Sequence, residues 1–288
     1  MSDHSAKRPQ GLSRRGFLGL ASAAVGLMGV WGIRRAWPDT LGRGPLADHP
    51  DLLSPSQQLH LPVLKLPTVT TNGAKVPIVV EMRHPMEPDH YITSVHVVNE
   101  RDPVPLKGTF HFTPANGQVY LAFQARLDHG ASKVSATAEC NLHGSSSTTR
   151  SIDIPSGAGG CADPAPPLGR TSGDEVLHPR IRIPVMVERG WIRRNEIIHI
   201  QLKMRHPSRT GLVRRDGKFV QESEPFYLKD MEVFYGDERV SRFALTPALS
   251  DDPFITFKLR ASREGPLRVL VTNSRGQRFE AVEQIRLS

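Results

Sequence analysis

Two cysteines stand among the 288 residues, Cys140 and Cys161, and each raises a different chemical question. Cys161 follows Gly157, Gly159 and Gly160 and precedes Pro164, Pro166 and Pro167. Glycines on one side and prolines on the other keep such a backbone out of regular sheets. The glycines also remove side-chain bulk beside the thiol. The sequence therefore predicts a thiol on a slim, mobile arm, able to enter a narrow cleft on another protein. A thiolate in that position attacks sulfur electrophiles or takes up a sulfur substituent. Two other readings stay open at this point: half of a Cys140–Cys161 disulfide, and an incidental linker cysteine. Serine-nucleophile chemistry finds no elbow motif, and the short glycine run has no following helix to bind phosphate.

The elements that must position these residues are short strands. There are 24 Gly and 24 Pro, a share that long helices tolerate poorly and turn-linked strands tolerate well. Alternating apolar runs predict strands over 76–82, 91–99, 109–113, 119–125 and 134–139, with turns at Asn72-Gly73, Asn116-Gly117 and Asp128-His129-Gly130 between them. The second half repeats the first. Met82-Arg83-His84-Pro85 recurs as Met204-Arg205-His206-Pro207, and Thr113-Pro114-Ala115 recurs as Thr246-Pro247-Ala248. The spacing between the two motifs is longer in the second copy, and the basic stretch 208–225 accounts for the extra residues. Two landmarks in the same order predict a duplicated fold. The expectation is all-β: two Ig-like β-sandwich domains in tandem, over 68–155 and 180–288, joined by a Gly/Pro-rich arm and linker over 156–179.

The first 67 residues read differently. Ser13-Arg14-Arg15-Gly16-Phe17-Leu18 opens an uncharged stretch to Ile33, the layout of a twin-arginine export signal over 1–37. The same stretch could alternatively serve as a membrane anchor. Either way the sequence predicts a periplasmic body, after a leader over 38–67 with little structure of its own. Five of the eight net positive charges lie in residues 1–36, leaving +3 for the remainder. No run of Lys/Arg interleaved with aromatics follows, so nucleic acid is excluded as a partner class. The basic loop 209–218 and Trp191 read as a solvated surface, or as a docking face for an acidic partner.

The ordered set of motifs resembles known families. Gly159-Gly160-Cys161, after a strand ending Ser151-Ile152-Asp153-Ile154, is similar to the C-terminal Gly-Gly-Cys-Gly-Gly arm of SoxY, the sulfur-carrying subunit of the bacterial Sox thiosulfate-oxidation system. Val76–Glu81, Arg83-His84-Pro85, His90-Tyr91-Ile92 and Phe110–Ala115 extend the likeness upstream. Residues 180–287 resemble its partner SoxZ through Lys203–Pro207, Phe226–Tyr235, Asp252–Lys258 and Asn273–Gly276. The chain thus looks like a SoxY–SoxZ fusion whose halves pair within one chain. The resemblance implies a carrier rather than an enzyme, without cofactor. Cys161 would hold thiosulfate-derived sulfur on the Gly159-Gly160 arm. Its partners would be a c-type cytochrome, a sulfate-releasing hydrolase and a sulfane dehydrogenase. Here Ala162-Asp163 replaces the terminal glycines and the arm is tethered at both ends. The fusion also resembles carriers associated with periplasmic quinoprotein dehydrogenases, which implies an accessory of such an enzyme as an alternative function.

A second resemblance runs through the other cysteine. Cys140-Asn141-Leu142-His143-Gly144, together with His84-Pro85-Met86 and His90, is similar to motifs of superoxide reductases, which share the β-sandwich. It implies a mononuclear iron held by Cys140, His143, His84 and His90, and an oxidoreductase in place of a carrier. A fourth histidine would be expected just before Val76, where Lys75 stands, with His96 or His111 as substitutes.

Overall fold

The computed structural model of the chain describes residues 54–163 and 175–288. The twin-arginine segment, the first part of the leader and the middle of the linker lie outside the described residues. Among the described residues, no helix is long and apolar enough to cross a membrane.

The first half comprises helix α1 (Pro55–His60) and strands β1 (Val63–Lys65), β2 (Val76–Glu81), β3 (Ile92–Val98), β4 (Leu106–Phe112), β5 (Tyr120–Ala125), β6 (Ser132–Cys140) and β7 (Gly144–Ile152). The second comprises β8 (Arg180–Arg182), helix α2 (Pro184–Arg189), β9 (Glu196–Lys203), β10 (Leu212–Arg215), β11 (Lys218–Gln221), β12 (Leu228–Tyr235), β13 (Glu238–Leu245), β14 (Phe254–Ala261), β15 (Gly265–Asn273) and β16 (Arg278–Ile285). All five strands expected from alternation are present. Their alternation is the cause: Val76, Ile78 and Val80 of β2 and Val134, Ala136 and Ala138 of β6 turn inward, while their neighbours face out.

Two sheets run through both halves. One has the order β1-β2-β5-β14-β9-β8, the other β16-β15-β12-β13-β4-β3-β6-β7. Matching β1 to β8, β2 to β9, β3 to β12, β4 to β13, β5 to β14, β6 to β15 and β7 to β16 makes each order read the same from either end. The duplication therefore appears as a pseudo-twofold, with its axis at the antiparallel β5–β14 and β4–β13 junctions. The halves are joined by sheet hydrogen bonds across the middle of both layers, which leaves neither half a free edge there.

The repeated Thr-Pro-Ala turns brace that junction. Thr113 Oγ1 donates to Val240 O (2.9 Å) and Thr246 Oγ1 donates to Leu106 O (2.7 Å), one bond in each direction across the axis. Buried Asn116 adds Nδ2 donations to Ser241 Oγ (2.9 Å) and Lys258 O (2.8 Å). Phe243 lies between Phe110 (5.3 Å), Phe112 (5.8 Å) and Phe257 (5.5 Å), so the shared core mixes rings from both halves. The extra residues of the second copy form the hairpin β10–β11, which has no counterpart in the first.

Candidate functional site

The leader is not structureless from Ser54 onward. Ser54 caps α1 in a capping box with Gln57, and β1 pairs antiparallel with β2. This matters for the site because α1 ends on His60.

Five side chains converge at one end of the first half. His84 follows β2 in an extended stretch where Met82, His84 and Met86 are buried and Arg83 and Pro85 exposed. Pro85 keeps His84 extended, so the alternation of β2 continues and sends the ring inward. His90 precedes β3. Cys140 ends β6, and His143 sits in the turn to β7, which Gly144 closes at φ +73°. Asn141 fastens the two loops: its Oδ1 accepts the Tyr91 N–H (2.9 Å), and its Nδ2 donates to Asp89 O (2.8 Å).

The facing atoms are close. His60 Nε2 lies 3.0 Å from His143 Nδ1 and 3.4 Å from His90 Nε2. His143 Nδ1 lies 3.1 Å from His90 Nε2 and 3.5 Å from Cys140 Sγ. Ligand atoms of His60, His84, His90 and Cys140 all fall within 4.8 Å of one another. The far ring nitrogens are anchored: His60 Nδ1 donates to Ser56 O (2.7 Å) and His84 Nδ1 to Pro85 O (2.5 Å). His84 Nε2 is buried without a hydrogen-bond partner. Burial, reinforced by the neighbouring rings, pulls His84 down to about 4 and lowers His90, which keeps these rings neutral at pH 7.

The four residues of the second resemblance are thus brought together, and His60, which belongs to neither motif, stands among them. Lys75 belongs to the 3-10 turn Gly73–Lys75 at the opposite end of β2. His96 Nδ1 bonds Thr109 Oγ1 (3.0 Å), and His111 stands opposite Arg242 and Ser94 within the sheet, so neither joins the group. In the second half His206 packs on Phe226 (4.6 Å) with no cysteine near it in sequence.

Cys161 occupies a different place. It is buried, 2% exposed, and the arm is packed down rather than free. Gly160 N–H donates to Leu127 O (2.8 Å), Gly73 N–H to Ala158 O (2.8 Å), and buried Arg126 Nη1 to Gly160 O (2.9 Å). A Cβ at Gly160 would lie 2.2 Å from Ala74 N, and one at Gly159 2.6 Å from Asp128 Oδ1. The glycines let the arm lie this close to its own protein, a role the sequence did not suggest.

The hairpin of the second half completes the clamp. Asp163 accepts the N–H groups of Thr210 (2.9 Å) and Gly211 (2.7 Å), and its own N–H donates to Leu212 O (2.7 Å). Thr210 Oγ1 donates to Cys161 O (2.9 Å), and Arg214 pairs with Asp128 (2.6 Å). Part of the basic loop is therefore spent on the arm. The buried ion pair Lys107–Asp102 (2.5 Å) also acts on the thiol. Burial first, then the Asp102 charge, push Cys161 up to about 12. Docked, it is a protonated thiol.

Both cysteines are free. Cys161 packs at the start of β2 and the histidine group gathers at its end, so six residues at about 3.3 Å each put roughly 20 Å between the two sites. That distance rules out the disulfide reading.

A duplicated β-sandwich protein with a docked Gly-Gly-Cys arm is the class that fold and site define. Residues 56–161 match the family model of the sulfur oxidation protein SoxY, and residues 189–284 that of the sulphur oxidation protein SoxZ. The chain belongs to these two sulfur-oxidation families, fused in that order. The SoxY match ends on Cys161. No curated protein matches the chain. Among solved structures, the superoxide reductase (neelaredoxin) of Ignicoccus hospitalis is 16% identical over 39% of this chain and 82% of its own, with a TM-score of 0.29. That of Archaeoglobus fulgidus is 21% identical over 35% and 96%, with a TM-score of 0.26. The likeness is to the β fold alone.

Proposed function

We propose that this protein is a sulfur carrier, with Cys161 as the covalent attachment point and the SoxZ-like half as a built-in partner that parks the arm. The reading rests chiefly on the end of the SoxY match at Cys161, directly after the two glycines of the arm. In the loading step, thiol and thiosulfate give Cys161–S–S–SO3⁻, a proton and two electrons, the electrons passing to a partner cytochrome. Water then cleaves the terminal S–S bond, releasing sulfate and a proton and leaving a persulfide, Cys161–S–SH. A dehydrogenase would oxidise the remaining sulfane. The twin-arginine pattern at the N-terminus supports a periplasmic setting for this work.

A thiol at about 12 is a poor nucleophile, so loading requires release of the arm. Release breaks the Asp163 and Arg126 contacts and lets the thiol return toward its ordinary value. The carrier therefore alternates between a parked, protected thiol and a released, reactive one. Loading by thiosulfate and an oxidising cytochrome, read by intact mass, tests this. Cys161→Ser abolishes the adduct and Cys140→Ser leaves it. An adduct that survives in Cys161→Ser contradicts the reading.

A further inference from the structure

Nothing in the carrier chemistry uses the five side chains at the far end of β2. We infer that His60, His84, His90, His143 and Cys140 bind one transition-metal ion, and that the ion fastens helix α1 to the sandwich. The donors are His60 Nε2, His84 Nε2, His90 Nε2, His143 Nδ1 and Cys140 Sγ.

Three observations carry the site. First, two of the imidazoles face the group with an unprotonated nitrogen. His60 and His84 have Nδ1 engaged by the backbone carbonyls of Ser56 and Pro85, which leaves their Nε2 lone pairs pointing at the group. Carbonyl anchoring of the far nitrogen is the usual outer support of a ligating histidine. Second, His84 Nε2 is buried with no hydrogen-bond partner, a cost that a cation would remove. Third, the spacing suits coordination. Bonds of about 2.1 Å put adjacent nitrogens about 3.0 Å apart at right angles and about 3.4 Å apart in a tetrahedron. The observed separations include 3.0 and 3.1 Å.

Donor type and number narrow the ion. Four imidazoles and a thiolate exclude magnesium and calcium, and five donors exceed the four of a tetrahedral zinc site. Ferrous iron accepts both donor types and five or six ligands. Binding replaces the Cys140 S–H bond with an iron–sulfur bond and releases that proton to solvent.

The link to α1 comes from His60. The helix has six residues and none is buried. A helix this short does not hold itself together in water. His60, partly buried, reaches His84, His90 and His143 from it. Coordination would thus be the main bond between α1 and the body.

The test uses the full chain, stripped with chelator and titrated anaerobically with ferrous iron. One iron per chain is expected, with amide hydrogen exchange over residues 55–61 slowed at least about tenfold on binding. One-electron oxidation by ferricyanide gives a thiolate-to-ferric charge-transfer band. Cys140→Ser abolishes the band. His60→Ala weakens binding at least about tenfold and removes the protection of α1, while exchange in β3 and β6 confirms that the variant is folded. Failure to bind iron, or binding that leaves exchange over 55–61 unchanged, overturns the inference. So does a preference for zinc with wild-type affinity in His60→Ala.

Discussion

At the residue scale, Gly160 and Cys161 form one device. A side chain at position 160 collides with Ala74, so Gly160→Ala cannot dock as the wild type does. The native thiol at about 12 presents on the order of a thousandfold less thiolate at pH 8 than an ordinary cysteine. Iodoacetamide labelling of Cys161 is therefore slow in the wild type and accelerates at least about tenfold in Gly160→Ala. The same shift has a sign in stability. The folded thiol binds its proton more tightly than the unfolded one. The stabilisation is complete below pH 9 and is lost as pH rises toward 12. Denaturant titrations across that range should fall less steeply for Cys161→Ser, which has no thiol to ionise.

At the element scale, the β10–β11 hairpin is the clamp. Asp163→Asn keeps the shape but replaces one of the two accepting oxygens by an NH2 group, so one of the bonds from Thr210 and Gly211 is lost and the other weakens to a neutral acceptor. Its arm should be labelled faster than the wild type's, with the melting temperature little changed. The elements also show where sequence reading works and where it stops. Strands with strict alternation, such as 134–139, were legible because inward and outward residues differ in type. Cys140, His143, His84 and His90 were legible because each sits within a short local motif. His60 was not: it lies in a polar stretch outside every motif, and only folding brings the end of α1 against β6 and β2. The docked arm was illegible for the opposite reason, because glycine and proline signal absence of regular structure and say nothing of what an irregular segment packs against.

At the scale of the whole molecule, the two sheets make the halves one cooperative body. Phe243 belongs to the second half, yet packs on Phe110 and Phe112 of the first. Phe243→Ala should cost about 3–5 kcal/mol and lower a single unfolding transition rather than split it. A protease site inserted within 164–174 and cleaved should leave both fragments together on gel filtration, since two sheet junctions and the Thr113, Thr246 and Asn116 braces remain. The motif repeat and its longer second spacing pointed to duplication. That the copies share sheets is set by pairing between β4 and β13 and between β5 and β14, which no local pattern encodes.

The proposed sulfur-carrying role of Cys161 has a direct readout in cells. Intact mass spectrometry of protein isolated from thiosulfate-oxidising cells, before and after reductant, with peptide mapping of any adduct, tests it most directly. Reductant-labile additions of sulfur or thiosulfonate size are expected on Cys161 and none on Cys140. An unmodified Cys161 in cells actively oxidising thiosulfate, or adducts confined to Cys140, would contradict it.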